Sequence, residues 1–246
     1  MLLKVLGSNS SGNCYVLDNG NEALVIECGV KLQEVKKALD FDISRIVGVI
    51  LSHEHGDHAK FVKDFIDARI PVFTSQGTAE ALKLKIGTTC NHKVEFKKFK
   101  VGNFIVKPFK VEHDAKEPFG YLINHKETGT ILFATDTVSI PYTFQNLNNI
   151  LIECNHSIGI VEEKLHAGII TEAQSVRVLR NHLSLETCLN VLHENDLSNV
   201  NNIVLLHLSD KNSDSDDFRQ RVQFQTGKTV YIAKKNLIIN FDKTPF

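Results

Sequence analysis

Ser52-His53-Glu54-His55-Gly56-Asp57-His58 is the stretch on which the reading of this chain turns. It carries an H-x-H-x-D-H spacing, so three imidazoles and a carboxylate crowd one short segment. Before it runs Ile46-Val47-Gly48-Val49-Ile50-Leu51, a continuous apolar run of the kind that forms a buried strand. After it comes Ala59-Lys60-Phe61-Val62-Lys63-Asp64-Phe65-Ile66, with apolar residues at helical spacing. The polar groups therefore sit on the turn leaving the C-terminal end of a core strand, where a rigid scaffold holds loop residues for function. So many polar rings at such a place call for a metal ion to satisfy them. The expectation is a metal-dependent hydrolase.

The same rule picks out three more donors at the ends of apolar runs. His113 follows the run ending at Val111, Asp136 follows Thr130-Ile131-Leu132-Phe133-Ala134-Thr135, and His207 follows Ile203-Val204-Leu205-Leu206. About seven protein ligands and a bridging water suit two divalent ions. We expect His53, His55 and His113 on one ion, Asp57, His58 and His207 on the other, and Asp136 between them. Imidazole and carboxylate donors without thiolate suit zinc (Zn2+), manganese (Mn2+) or iron, with zinc or manganese expected. Two such ions roughly 3.5–4 Å apart would lower the pKa of a shared water and clamp the oxygens of a phosphoryl or acyl transition state. His92, His125, His166 and His193 lack this context and read as surface or packing residues.

Composition narrows the class. The 246 residues are 42% hydrophobic and 23% charged, ordinary for a soluble globular protein. No apolar run approaches the ~20 residues of a membrane helix. The start, Met1-Leu2-Leu3-Lys4-Val5-Leu6, turns polar too quickly for a secretory signal. Cys14, Cys28, Cys90, Cys154 and Cys188 show no C-x-x-C pairing and fit free thiols, so a cytoplasmic protein is expected. A net charge of −1 argues against wrapping long duplex nucleic acid. Lys97, Lys98, Lys100, Lys107 and Lys110 read as a solvated face, whereas Arg177 and Arg180 precede a candidate site residue, His182.

No repeat, low-complexity tract or linker divides the chain, so one domain over 1–246 is expected. Strands are predicted over 2–6, 14–18, 22–27, 46–51, 72–73, 93–96, 103–111, 119–124, 130–135, 149–153 and 203–206, with two more at the end. Helices are predicted over 31–39, after the histidine motif, and near 76–84, 172–180, 184–195 and 214–224. Strands with interspersed helices, twice over, predict an α/β fold: an αββα sandwich of two mixed sheets with helices outside.

Order and spacing together resemble the metallo-β-lactamase superfamily, and more narrowly its YycJ/WalJ-type exonuclease branch. The elements that carry the likeness are Gly7-Ser8-Asn9-Ser10-Ser11-Gly12-Asn13, the histidine motif, His113-Asp114-Ala115 and Ala134-Thr135-Asp136-Thr137. Glu153-Cys154-Asn155-His156, His182-Leu183-Ser184 and His207-Leu208-Ser209 complete them. Glu27 stands where the superfamily usually shows an aspartate that braces the site from behind, and Asn181 and Leu185 depart from the branch beside His182.

The resemblance implies a dinuclear site and hydrolysis of phosphodiester bonds in nucleic acid, single-stranded or attacked from an end. It also implies that His182 binds phosphate or protonates the leaving oxygen, as a similar histidine does in phosphodiesterases of the superfamily. Asp57 is expected to orient the nucleophile. The polar loop with Ser11 and Asn13 can offer N–H groups and hydroxyls to a phosphate. Asn155 and His156 stand between substrate contact and loop packing. A cyclic-nucleotide phosphodiesterase and a non-catalytic binding protein remain as alternatives, discriminated by activity on labelled strands and by metal content. A lactamase or thioester hydrolase is disfavoured by the His182 element.

Overall fold

The computed structural model describes residues 1–85, 87 and 89–244. Its first half runs β1 (Leu2–Gly7), β2 (Cys14–Asp18), β3 (Ala23–Ile26), α1 (Leu32–Ala38), β4 (Ile46–Ile50), α2 (Gly56–Ala59), α3 (Val62–Asp67), β5 (Val72–Ser75), α4 (Gln76–Ala81) and β6 (Cys90–Lys93). The second half begins with the strands β7 (Phe99–Val101), β8 (Phe104–Lys110), β9 (Phe119–His125), β10 (Gly129–Ala134) and β11 (Leu147–Glu153). It continues with α5 (Ile158–His166), α6 (Glu172–Asn181), α7 (Leu185–Glu194), β12 (Asn202–Leu206), α8 (Ser215–Thr226), β13 (Thr229–Ile232) and β14 (Ile238–Asn240).

Among the described residues the strands form two seven-stranded sheets, ordered β14-β1-β2-β3-β4-β5-β6 and β13-β12-β11-β10-β9-β8-β7. Both are mixed, and the αββα sandwich is what the chain adopts. Side-chain alternation makes its three apolar layers. In β11, Leu151 joins Leu3, Tyr15, Ile26 and Ile50 between the sheets, while Ile150 and Ile152 face the other way onto Leu185, Leu189 and Phe218 of the outer helices. On the first sheet Val25 and Val49 pack outward against Val35 of α1 and Phe65 of α3. Burial on both faces explains why these strands read as unbroken apolar runs.

Strand direction sets the site. β3, β4, β5 and β6 are parallel to one another, and so are β10, β11, β12 and β13. Their carboxyl ends gather at one end of the sandwich, where parallel sheets carry their ligands.

Several local expectations differ, and β7 is a short strand that the sequence pattern does not predict. The predicted helix after the histidine motif is two short pieces, α2 and α3, because the chain turns at Lys60–Phe61. The strand expected near 93–96 lies instead at Cys90–Lys93, followed by a turn in which Phe96 takes a φ of 57° and its N–H donates to Pro108 O. Helix α5 was not anticipated: its only buried residue is Val161, so it lacks the wide apolar stripe that periodicity detects.

Candidate metal centre

Each candidate ligand leaves the end of a strand. His53 to His58 follow β4, His113 follows β8, Asp136 follows β10, and His207 follows β12 directly. Glu27, Asp136 and His207 all take left-handed backbone conformations, with φ of 69°, 44° and 53°. Such conformations cost non-glycine residues about 1–3 kcal/mol each and persist where the surroundings over-determine them. Gly29 lies where the turn after β3 crosses the histidine motif: a Cβ there would overlap the Asp57 carbonyl oxygen and the Asn13 amide nitrogen. The backbones interlock at this point, with Asn13 N donating to Asp57 O at 2.7 Å and Cys28 N to His58 O at 2.7 Å.

The donor atoms converge in linked groups, each with its ligand atoms within 4.8 Å of one another: His53, His55 and His113; Asp57, His58, Asp136 and His207; and Asp136, Glu153, His182 and His207. Asp136 sits at the junction. Its Oδ1 lies 3.3 Å from His58 Nε2 and 3.0 Å from His207 Nδ1, while its Oδ2 lies 3.9 Å from His53 Nε2 and 3.7 Å from His113 Nε2.

These groups suit a cation better than they suit each other. His53 Nδ1 is engaged with Ser52 Oγ at 2.8 Å, which leaves a buried Nε2 without a partner. His55 Nδ1 and His113 Nε2 face each other at 3.1 Å, two ring nitrogens with a shared need for something positive between them. With protons alone, the cluster polarises. Burial would lower His58 and His207, yet Asp136, Asp57 and neighbouring glutamates push both well above the ordinary imidazole range. Burial and the His58 charge drive His53 the other way, well below it. Asp136 is held well below the carboxylate range by His207 and His58 despite complete burial. Divalent cations would replace those protons, and metal binding to such a set releases them.

A second layer orients the ligands. Glu27 Oε2 lies 3.3 Å from His58 Nδ1, and its Oε1 accepts from Ser52 N at 3.1 Å. His113 Nδ1 meets the Asn181 carbonyl at 2.9 Å. Holding the far nitrogen of a ligating histidine fixes its tautomer and its aim.

All seven expected ligands thus meet at one place. His182 joins them: its Nδ1 lies 2.7 Å from Glu153 Oε1, and the ring borders a groove of about 260 Å³ shared with Ser10, Asn155, His207, Ser209 and Lys211. Burial opposes it, but the Glu153 charge and hydrogen bond raise the His182 pKa. The expected substrate contacts divide. Asn13 is fully buried and its Nδ2 donates to Asp57 Oδ2 at 3.2 Å, so it braces a ligand and is not open to a substrate. Asn155 lines the groove while its Nδ2 donates to His207 O at 2.7 Å. His156 is buried with neither ring nitrogen partnered, and burial pulls its pKa down to about 4. Ser11 faces a neighbouring cavity, and Ser10 takes its place in the groove.

Sequence reading passed over Glu153 as a site residue. It is buried, touches both His182 and His207, and its Oε2 accepts from Thr137 N and Leu183 N, each at 3.0 Å. The signal was present: Glu153 ends the apolar run Ile150-Leu151-Ile152, as Asp136 and His207 end theirs.

A family model described as the metallo-beta-lactamase superfamily matches residues 7–141, more than half of the chain and the part that holds six of the seven candidate ligands. The chain belongs to the metallo-β-lactamase superfamily. It is 26% identical over 221 residues to "Exodeoxyribonuclease YycJ" of Bacillus anthracis, covering 83% of this chain and 81% of that protein. "Exodeoxyribonuclease WalJ" of Streptococcus pneumoniae is 26% identical over 228 residues, 85% of this chain and 82% of that protein. Within the superfamily the chain is YycJ/WalJ-like. Among solved structures, the metallo-beta-lactamase fold protein YhfI from Bacillus subtilis overlays with a TM-score of 0.72 at 18% identity, over 97% of this chain and 99% of that one. Family, fold and donor set are those of a metal-dependent hydrolase. No helix among the described residues is long and apolar enough to cross a membrane.

Proposed function

We propose that the chain is an exonuclease-like phosphodiesterase that hydrolyses phosphodiester bonds of nucleic acid. In this reading His53, His55 and His113 would hold one divalent ion, Asp57, His58 and His207 would hold a second, and Asp136 would serve both. The observation that carries it is His182, paired to Glu153 at 2.7 Å, raised in pKa and set at the rim of the ligand cluster. A sugar alkoxide is a poor leaving group and needs a proton, and a positioned general acid contributes typically 10²–10⁴ in rate. The names of the YycJ and WalJ relatives support the same substrate class.

Divalent ions, when bound, lower the pKa of water and neutralise the non-bridging oxygens of the transition state. The protein's groups do the rest. Asp57 is the more exposed carboxylate of the pair, with 19% of its side chain exposed against 3% for Asp136, and it orients the attacking water and takes its proton. As the bond from water oxygen to phosphorus forms and the bond to the sugar oxygen breaks, His182 gives a proton to the departing oxygen from Nε2. Glu153, bound to Nδ1, holds the ring in position and stabilises its protonated form.

The test is hydrolysis of end-labelled single strands against 2′,3′- and 3′,5′-cyclic nucleotides, each with Mn²⁺ and Zn²⁺. Stepwise shortening of the strands is expected; turnover of cyclic nucleotides alone would replace the nuclease reading. The small groove of about 260 Å³ is what favours that second reading.

A further inference from the structure

The groove beside His182 does not end the polar surface at this end of the molecule. Across Leu208-Ser209-Asp210, which lines both, lies a larger cavity of about 550 Å³, within the ~300–1,000 Å³ usual for ligand sites. The loop after β1 also divides them: Ser10 faces the groove, whereas Ser8, Asn9 and Ser11 face the cavity. The dividing wall is tied to the candidate metal centre, because His207 N donates to Ser8 Oγ at 3.0 Å and Ser8 Oγ meets the Tyr15 hydroxyl at 2.7 Å. Whatever occupies the cavity therefore sits next to a ligand residue and next to the groove.

Its lining is two-sided. Val30, Ile232 and Ala233 supply an apolar wall, and Ser11 and Ser215 supply hydroxyls. Lys234 and Lys235 stand at the edge. Both are exposed; Lys234 forms no ion pair among the described residues, and Lys235 only a 3.3 Å contact with Glu34. Asp210 on the shared wall is the opposing charge, one acid against two amines. An apolar wall for a flat ring, neutral donors for sugar and phosphate oxygens, and cations for a phosphate make the chemistry of a nucleotide.

We infer that this cavity holds a nucleotide beyond the pair joined by the scissile bond, so that a single strand crosses the Leu208-Ser209-Asp210 wall from the His182 groove to Lys234 and Lys235. The inference rests on the phosphodiesterase reading and adds a second subsite to it. Strand length then governs turnover: a dinucleotide fills the groove and little more, and a hexanucleotide engages both cavities.

The experiment compares kcat/KM of the metal-loaded enzyme for single-stranded di- and hexadeoxynucleotides and for bis(4-nitrophenyl) phosphate. It uses wild type, the double variant Lys234→Glu/Lys235→Glu, and Lys63→Glu, an exposed charge reversal on α3 at a residue that does not line the cavity. Wild type should favour the hexanucleotide over the dinucleotide by about tenfold or more, some 1.4 kcal/mol of extra binding. The double variant should lose that preference, and its salt dependence should become shallower by about 0.7 in log–log slope for each phosphate contact removed. Lys63→Glu should keep the wild-type preference. A double variant with undiminished length preference overturns the subsite, as does a wild type that turns over both lengths equally, and in either case the nuclease reading stands. A wild type that hydrolyses bis(4-nitrophenyl) phosphate but neither strand overturns the nuclease reading and the subsite with it.

Discussion

Two glutamates flank the same short strand and end in opposite circumstances. Glu22 precedes β3 and Glu27 follows it; both are buried, and each faces a buried histidine, His125 at 3.2 Å and His58 at 3.3 Å. At the Glu22 end the polar groups consume one another. Asn103 donates to Glu22 from N at 2.9 Å and from Nδ2 at 2.8 Å, and His125 packs its ring on Phe104 at 4.7 Å. Nearby, Asn149 Nδ2 donates to Thr128 O and Asn202 Nδ2 to Asn149 Oδ1. At the Glu27 end the second nitrogen of the histidine looks into a cluster with too many lone pairs and too few hydrogens, and His53 Nε2 has no hydrogen-bond partner. Buried polarity is thus common to both ends of the sandwich. What separates a site from a strut is whether the groups satisfy each other or converge on a point they cannot fill.

The strongest way to break this contrast is Asp136→Ala. Asp136 touches both candidate ligand groups, so its loss should remove at least one metal equivalent and lower hydrolysis by about 10³-fold or more, as expected when a shared anionic ligand of a two-ion site is deleted. Metal analysis of purified protein reads the first outcome and steady-state rates the second. Full metal content in the variant would show that the convergence at Asp136 is not a binding site.

His182→Ala separates chemistry from binding at the same end. The variant should keep its metal and lose about 10²–10⁴ in kcat on DNA. A 4-nitrophenyl ester, whose leaving group needs no proton, should lose much less. Equal losses on the two substrates would make His182 a structural contact and not an acid.

Glu27→Gln tests the second layer with little change of volume. Removing the carboxylate behind His58 should weaken metal affinity by about 10–100-fold in a chelator titration while leaving the fold intact. Unchanged affinity would mean that Glu27 is a strut like Glu22.

The contrast also explains what could be read in advance. The histidine motif and the three later ligands were legible because each follows an apolar run, and one rule about strand ends found them all. Glu153 obeys that rule but lies inside the strand as its last residue, where an acid reads equally as an ordinary boundary residue; its contacts with His182 and with the candidate ligand His207 are made only by the fold. Asn13 looked like a substrate contact because its loop is polar; burial against Asp57 and His58 depends on the close crossing at Gly29, which no local pattern announces. The left-handed backbones at Glu27, Asp136 and His207 were invisible for the same reason, since tertiary contacts impose them against local preference. Helix α5 escaped because a single buried side chain leaves no periodic stripe.

The smallest effect belongs to the other end. Burial works against the charge on Glu22, but the Asn103 N–H, the Asn103 amide and His125 together hold its carboxyl below the ordinary range. A depressed carboxyl contributes stability that is present above the unfolded pKa, about 4.3 for Glu, and is lost as pH falls through the lower folded value. Glu22→Gln should therefore cost about 1–3 kcal/mol near neutrality, the range for replacing a charged acceptor among buried donors. The gap between wild type and variant should narrow as pH falls below the unfolded pKa and close once it has passed the depressed folded pKa, where both carry a neutral side chain. Urea midpoints measured from pH 3 to pH 7 read this directly, with m-values checked for constancy. Metal content and turnover should match wild type throughout. A loss of metal in Glu22→Gln would mean that the two ends of β3 are coupled, and the division between strut and site would have to be redrawn.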